Sequence, residues 1–294
     1  MTPREFLHQC AVTAAMLTLA ACGNSTTGSG SVAVTDAAAH DSSSGGDSLS
    51  GTDGSIAQDG AGAGDVTAAD LSDSGGSQIC APTAPLCSDE QINDLSLFKK
   101  ASSHPITNTA DGSGFLSEVN SSGGGMQPTE SFVYAKFTDQ GLQVVAIGDQ
   151  GALDSQDWDI AMRRYVIRLN SGVSGPSCVL GTALKGSTAY EDWSAIPDTA
   201  VWASETYYDA SCKLVADDSG IGAPKTVLGT FWKYQNCVQM TGKVYGVLLA
   251  DGRKVKLTVT GYYPTAAQAT CDNTGNVPAG TAGGSLAMRW AILP

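Results

Sequence analysis

The sequence predicts an all-β domain of mostly antiparallel sheets, carried behind an export signal and a tether. Three observations lead to that fold class. Apolar residues alternate with polar ones in short runs, as in Val255, Leu257 and Val259 set against Lys254, Lys256 and Thr258. That period of two is the mark of a strand with one core face and one wet face. Turns containing glycine separate such runs. Helical periodicity is scarce, and its best instance is residues 88–103.

The first 21 residues read as a signal peptide. Their apolar run "AVTAAMLTLAA" is too short to span a bilayer. The ending "LAAC", Leu19 to Cys22, resembles the bacterial lipoprotein box, in which the cysteine thiol takes the lipid. We therefore expect Cys22 to be lipidated, with acyl chains such as palmitate giving a durable anchor at about 0.8 kcal/mol per buried methylene. The alternative is an ordinary secretory signal with a chance cysteine. Gly23 follows the cysteine, and the lack of Asp there resembles lipoproteins sorted to an outer membrane.

Residues 22–77 form the expected tether, rich in Ser, Gly, Ala, Thr and Asp. From residue 23 on they hold no Lys, Arg, Glu or aromatic, and cannot bury enough apolar surface to offset ordering entropy. Such a Gly/Ser-rich chain has a root-mean-square reach of roughly 40 Å. Its eight aspartates, Asp36 to Asp73, are mostly five or six residues apart, too sparse for a calcium cage from one loop. They supply −8 of the formal charge of −13, so residues 78–294 are only mildly acidic. Nothing there offers the basic face that nucleic acid requires. Residues 78–294 are long enough for one domain with a sizeable core.

Six cysteines follow the tether: Cys80, Cys87, Cys178, Cys212, Cys237 and Cys271. An even number in an exported chain favours three disulfides. Zinc is the alternative, without a C-x2-C pair to support it. The short loop "CAPTAPLC" suggests Cys80–Cys87, and proximity suggests Cys178–Cys212 and Cys237–Cys271. The pairing stays open among about fifteen connectivities.

Along the domain, Ser88 and Gln91 resemble a capping box ahead of Ile92, Leu95 and Phe98 at helical spacing. "SFVYAKF" and "LQVVAIG" flank "TDQG", a hairpin with Gly141 in the turn. "VWASETYY" and "VLGTFWKYQ" read as strands. In "KVYGVLLADGRKVKLTVTGYY", Asp251-Gly252 is the favoured pair for a two-residue hairpin turn. In the last strand Leu286, Met288, Trp290 and Ile292 share a parity, which puts Met288 in the core.

"DWDIAMRRYVIRLNSG", residues 157–172, is irregular. Trp158, Ile160 and Met162 share one parity and Tyr165, Ile167 and Leu169 the other, with Arg163 and Arg164 at the change. A β-bulge at the arginines would restore one apolar face, as would a strand passing between sheets. Either way the arginines are expected to solvate the bend or to pair with Asp157 or Asp159.

This stretch, together with "KVYGVLLADGRKVKLTVTGYY" and the closing "GSLAMRWAIL", resembles the HmuY-like family of bacterial surface lipoproteins over residues 130–294. The resemblance implies a surface protein that binds haem and passes it toward an outer-membrane receptor. It also implies two axial side chains on the iron, His or Met. Within residues 78–294 the one histidine is His104, so a bis-histidine site within that domain is excluded. Met162 and Met288 sit on apolar parities as core fillers, whereas Met126 in "GGGMQP" and Met240 before "TGK" are freer to face a ligand.

Enzyme signatures are lacking: there is no G-x-S-x-G elbow, and a Ser/His/Asp triad within residues 78–294 would need His104, which has no local motif. We expect no enzyme. Asp149, Asp154, Asp157 and Asp159 read as loop aspartates rather than a catalytic pair. The competing expectation is a non-catalytic surface module for a protein or glycan, with Trp193, Trp202, Tyr207, Tyr208, Tyr262 and Tyr263 as a flat binding face or as ordinary strand residues.

Overall fold

The alternation of the C-terminal half builds the larger of two facing sheets. The structure, a computed structural model, describes residues 81–185 and 189–294. The signal, Cys22, the tether and Cys80 lie outside the described residues. In chain order the strands are β1 (Ile106–Asp111), β2 (Gly114–Asn120), β3 (Val133–Thr138), β4 (Gly141–Val145), β5 (Ile160–Arg163), β6 (Val166–Leu169), β7 (Leu180–Ala183), β8 (Trp232–Tyr234), β9 (Val238–Met240), β10 (Val244–Leu248), β11 (Lys254–Gly261) and β12 (Ser285–Leu293). The helices are α1 (Ser88–Asp94), α2 (Asp149–Ala152) and α3 (Thr265–Thr274). The six-stranded sheet runs β1-β2-β12-β11-β10-β7, the four-stranded sheet runs β4-β3-β5-β6, and β8-β9 is a separate pair. Each of these ladders is antiparallel, as the all-β reading expects.

The two sheets enclose the main core. Val255, Leu257 and Val259 of β11, with Leu286, Met288 and Trp290 of β12, meet Val133, Ala135 and Phe137 of β3 and Ile160 and Met162 of β5. Phe137 stands edge-on to Trp290 at 4.9 Å between centroids. Burying each such side chain stabilises the fold by roughly 1.5–3 kcal/mol. At one margin the Asn108 amide of β1 closes the sheets together. It donates to the Leu142 carbonyl at 3.1 Å and accepts from the Leu142 amide at 3.0 Å.

The four-stranded sheet is covered on its other face too. Phe132, Tyr134, Trp158, Ala161, Tyr207 and Tyr208 form a second core there, with Leu95 and Leu97 from the chain after α1.

Residues 157–172 are neither a bulged strand nor a strand changing sheets. They contain two strands joined by a tight hairpin, with Arg163 opposite Val166 and Met162 opposite Ile167. Partners across this ladder have opposite parity, so Ile160 and Met162 share the main core with Ile167 and Leu169. The parity change is the hairpin itself. Nor do the arginines solvate a bend or pair with Asp157 or Asp159. Arg163 is buried, donating to the carbonyls of Leu95, Ser96 and Glu130, with Asp149 3.6 Å away.

Other expectations are corrected. The helix ends at Asp94, and Cys87 rather than Ser88 is its N-cap. Gln91 makes no capping box, because its buried amide donates to Leu86 and Val173 carbonyls. Ser96 then takes a left-handed φ of 48°, where the chain gives its carbonyls to Arg163. The β10–β11 turn is longer than two residues. The Leu249 amide bonds to the Arg253 carbonyl around Ala250, Asp251 and Gly252, with Gly252 at φ 87°. "VWASETYY" makes isolated bridges instead of a strand, and much of "VLGTFWKYQ" is a short 3-10 turn before β8. The face of β11 expected to be wet is covered: Lys256 and Thr258 are buried, with the Lys256 ammonium 4.3 Å from the Tyr190 ring. Helix α3 was not expected, although Pro264 before it and Gly275 after it at φ 73° are boundary signals.

Disulfides also differ. Cys87 pairs with Cys212, not Cys80, and Cys212 therefore does not pair with Cys178. Cys178 is disulfide-bonded as well. Cys237–Cys271 forms as proximity suggests, tying α3 to the residue ahead of β9.

Candidate functional site

The apex of the β5–β6 hairpin gathers side chains from four distant segments. Arg164 and Tyr165 form the turn, and Arg164 holds the left-handed φ of 53° that so tight a reversal requires. Its backbone is fixed from both sides: its amide donates to the Ser121 carbonyl at 2.5 Å, and the Ser121 hydroxyl donates to its carbonyl at 3.2 Å. The loop after Ser121 carries three successive glycines at positive φ and presents Met126, 80 % exposed. Gly123 is required twice, by its φ of 61° and because a Cβ there would lie 2.6 Å from Arg163 Cγ.

From this turn a line of contacts crosses the end of the sandwich. The Arg164 guanidinium donates to Met126 Sδ at 3.2 Å and lies 5.5 Å from the centre of the Tyr165 ring. Tyr165 packs at 4.8 Å between centroids, tilted by 41°, on Trp232 of β8 and lies 6.1 Å from Tyr262. Trp232 is the cross-strand partner of Met240 in β9. The two methionines singled out in the sequence are thus joined through Arg164, Tyr165 and Trp232. Met126 is exposed. Met240 is half-buried against the main core, and its amide donates to Asp272 Oδ1 at 2.8 Å.

The remaining candidates lie elsewhere. His104 is held at both nitrogens: Nε2 is 2.6 Å from Glu130 Oε2 and Nδ1 is 3.2 Å from Asn120 Nδ2. Met162 and Met288 are core residues. The aromatics do not form one face. Tyr207 and Tyr208 belong to the second core, Trp193 lines a cleft of about 480 Å³ beside Lys185 and Pro197, and Tyr262 and Tyr263 pair near the hairpin apex.

Two of the aspartates are buried anchors rather than loop residues. Asp149 accepts from the Phe98 and Phe132 amides and from the Tyr134 hydroxyl. Asp159 accepts from the Phe137 amide, and burial pushes its carboxyl up to about 6 against that bond. Asp157 is exposed, 4.0 Å from Lys136. Residue-by-residue reading missed Arg164, Tyr165 and Trp232 as site members. The parity change marked the turn, but nothing local placed Trp232 beside it.

The HmuY protein family model matches residues 128–274, half of the chain. No curated protein matches it. Solved structures similar to it include a Bacteroides vulgatus ATCC 8482 protein described as HmuY-like and heme-binding, at 16 % identity and TM-score 0.39, covering 63 % of this chain and 95 % of that one. A Bacteroides fragilis NCTC 9343 protein described as a lipoprotein gives 13 % identity and TM-score 0.39, over 62 % and 91 % of the two chains. A Tannerella forsythia apo HmuY analog gives 12 % identity and TM-score 0.35, over 66 % and 98 %. Likenesses this distant carry no argument about the ligand. The family match spans β3 to α3 and includes the hairpin, β8 and β9. The chain belongs to the HmuY family.

Proposed function

We propose that this protein binds haem or a related tetrapyrrole at the apex of the β5–β6 hairpin, as cargo and without catalysis. The observation that carries the reading is the line Met126–Arg164–Tyr165–Trp232–Met240, of which all but Met126 lie within the family-matched residues 128–274. Thioethers are competent iron ligands. Tyr165, half-buried and backed by the buried Trp232, offers aromatic surface of the kind a flat macrocycle covers. The lipoprotein-box resemblance at Cys22 supports presentation from an outer membrane and delivery to a receptor there.

The test is a haemin titration of the purified protein, following the Soret band in ferric and ferrous states. A stoichiometric shifted band is expected, altered by Met126→Ala or Met240→Ala. Lack of a saturable shift in both states overturns the reading. Incorporation of labelled palmitate, lost in Cys22→Ser, tests the anchor separately.

A further inference from the structure

Arg164 has few acceptors from the protein itself. A guanidinium has five N–H donors. Its one side-chain acceptor among the described residues is the thioether of Met126, and sulfur is a weak acceptor. No Asp or Glu of the described residues forms an ion pair with Arg164, although acidic residues outnumber basic ones in the chain, 29 to 16. Its backbone is nonetheless pinned to Ser121, and its ring neighbour Tyr165 is packed on Trp232. A guanidinium on so fixed a backbone, with a poor protein partner, is placed to take a better one.

A second orphan lies nearby. Tyr262 is 2 % exposed, and its hydroxyl is buried with no hydrogen-bond partner. Leaving such a group unpaired is costly. Its ring is 6.1 Å from Tyr165, and the Arg164 charge acts on it, opposing the burial that pushes its phenol up to about 12. The ring packs on Gly283, where a Cβ would come 2.8 Å from the hydroxyl, and Gly284 abuts Ser122 at the base of the Met126 loop. The orphan hydroxyl thus lies against Gly283, whose neighbour Gly284 touches the base of the loop that carries Met126, the partner of the Arg164 guanidinium.

We propose that Arg164, with the Tyr262 hydroxyl behind it, is the receptor for a carboxylate on the ligand, and that Met126 holds the guanidinium until that carboxylate replaces it. A carboxylate takes two parallel bonds from a guanidinium, which a thioether cannot. Displacing Met126 from the guanidinium frees the thioether for other contacts. The inference deepens the tetrapyrrole reading and rests on it for the identity of the ligand, since haem carries two free carboxylates. It makes the site selective for the free acid.

The experiment compares haemin with its dimethyl ester on the whole protein. Wild type is expected to bind the free acid about tenfold more tightly or better. Arg164→Gln should bring the two within about twofold, and Tyr262→Phe should narrow the gap, with near-ultraviolet circular dichroism unchanged. Equal affinity in wild type, or a preference that survives Arg164→Gln, overturns the inference. If neither compound binds, the tetrapyrrole reading fails, and benzoate against benzamide decides the inference by itself. Saturable chemical-shift changes with benzoate alone, lost in Arg164→Gln, support it. No response to benzoate, or an equal response to benzamide, overturns it.

Discussion

Arg163 and Arg168 both set their guanidinium groups against the ring of Phe132, 4.2 and 4.1 Å from its centre. Both are buried, on the face of the β5–β6 hairpin turned away from the main core. Two cations on one ring persist because acceptors surround them. Arg163 lies 3.6 Å from Asp149. Arg168 donates to the Tyr134 hydroxyl at 2.7 Å, which itself donates to Asp149 at 2.9 Å. Burial lowers the Arg163 pKa to about 10, with the Asp149 charge working against the fall.

Among the described residues Asp149 is thus the one fully buried carboxylate facing both cations, and removing its charge leaves them uncompensated. Asp149→Asn is expected to cost about 3–5 kcal/mol, because breaking a buried pair strands its partner. Urea unfolding measures it. A loss under about 1 kcal/mol would mean that water or backbone carbonyls already satisfy the arginines.

Stability should fall as pH rises from the acid side toward neutrality. Burial raises the Glu205 carboxyl from 4.5 to about 7 and the Asp159 carboxyl from 3.8 to about 6. Across those windows the native protein holds protons that the unfolded chain has released, so stability is fully present below the unfolded values and is lost through the folded ones. For Glu205 the loss is about 3 kcal/mol by pH 7. The depressed carboxyls of Glu191 and Asp209 act in the opposite sense, at more acid pH. Melting temperatures measured from pH 4.5 to 7.5 should therefore decline in wild type and flatten in Glu205→Gln. A rising wild-type profile would contradict the assignment.

The two described disulfides should differ in worth. Cys87–Cys212 closes a separation of 125 residues and Cys237–Cys271 one of 34. Chain entropy gives about 5 and about 4 kcal/mol respectively. The double serine variant at Cys87 and Cys212 should therefore lose more in guanidinium unfolding than the one at Cys237 and Cys271. The reverse order would point to structure retained by the unfolded chain near α1.

The main core was legible because its strands repeat every two residues: Val255, Leu257 and Val259 lie where the pattern puts them. The hairpin at residues 163–166 also left a trace, the parity change, but Arg164-Tyr165 lacks the Gly, Asn or Asp that usually mark so short a turn. The second core was not legible. Tyr207 and Tyr208 reach it from a segment with little regular structure, and Arg168 reads as a surface charge until Tyr134 and Asp149 are seen beside it. Of the site, Met126 stood out through its glycine loop. Its link to Met240 runs through the ring contact between residues 165 and 232, which no local pattern encodes.

That missing turn signal leads to the last prediction. Arg164 occupies a left-handed conformation that costs a side chain roughly 1–2 kcal/mol and glycine almost nothing. Two forces act on this position in opposite directions. The hairpin favours glycine, whereas ligand recognition requires a guanidinium held against Tyr165 and Met126. Arg164→Gly should release the strain, lose a single solvent-facing cation–π contact worth about 0.5–1 kcal/mol and add roughly 0.5–1 kcal/mol of unfolded-chain entropy, so the terms nearly cancel and stability should stay close to that of wild type. The same variant should lose the preference for haemin over its dimethyl ester. Unchanged or higher resistance to urea together with lost selectivity identifies Arg164 as a residue kept for binding at a cost to the fold. A marked fall in stability would show instead that the side chain is there to hold the Met126 loop in place.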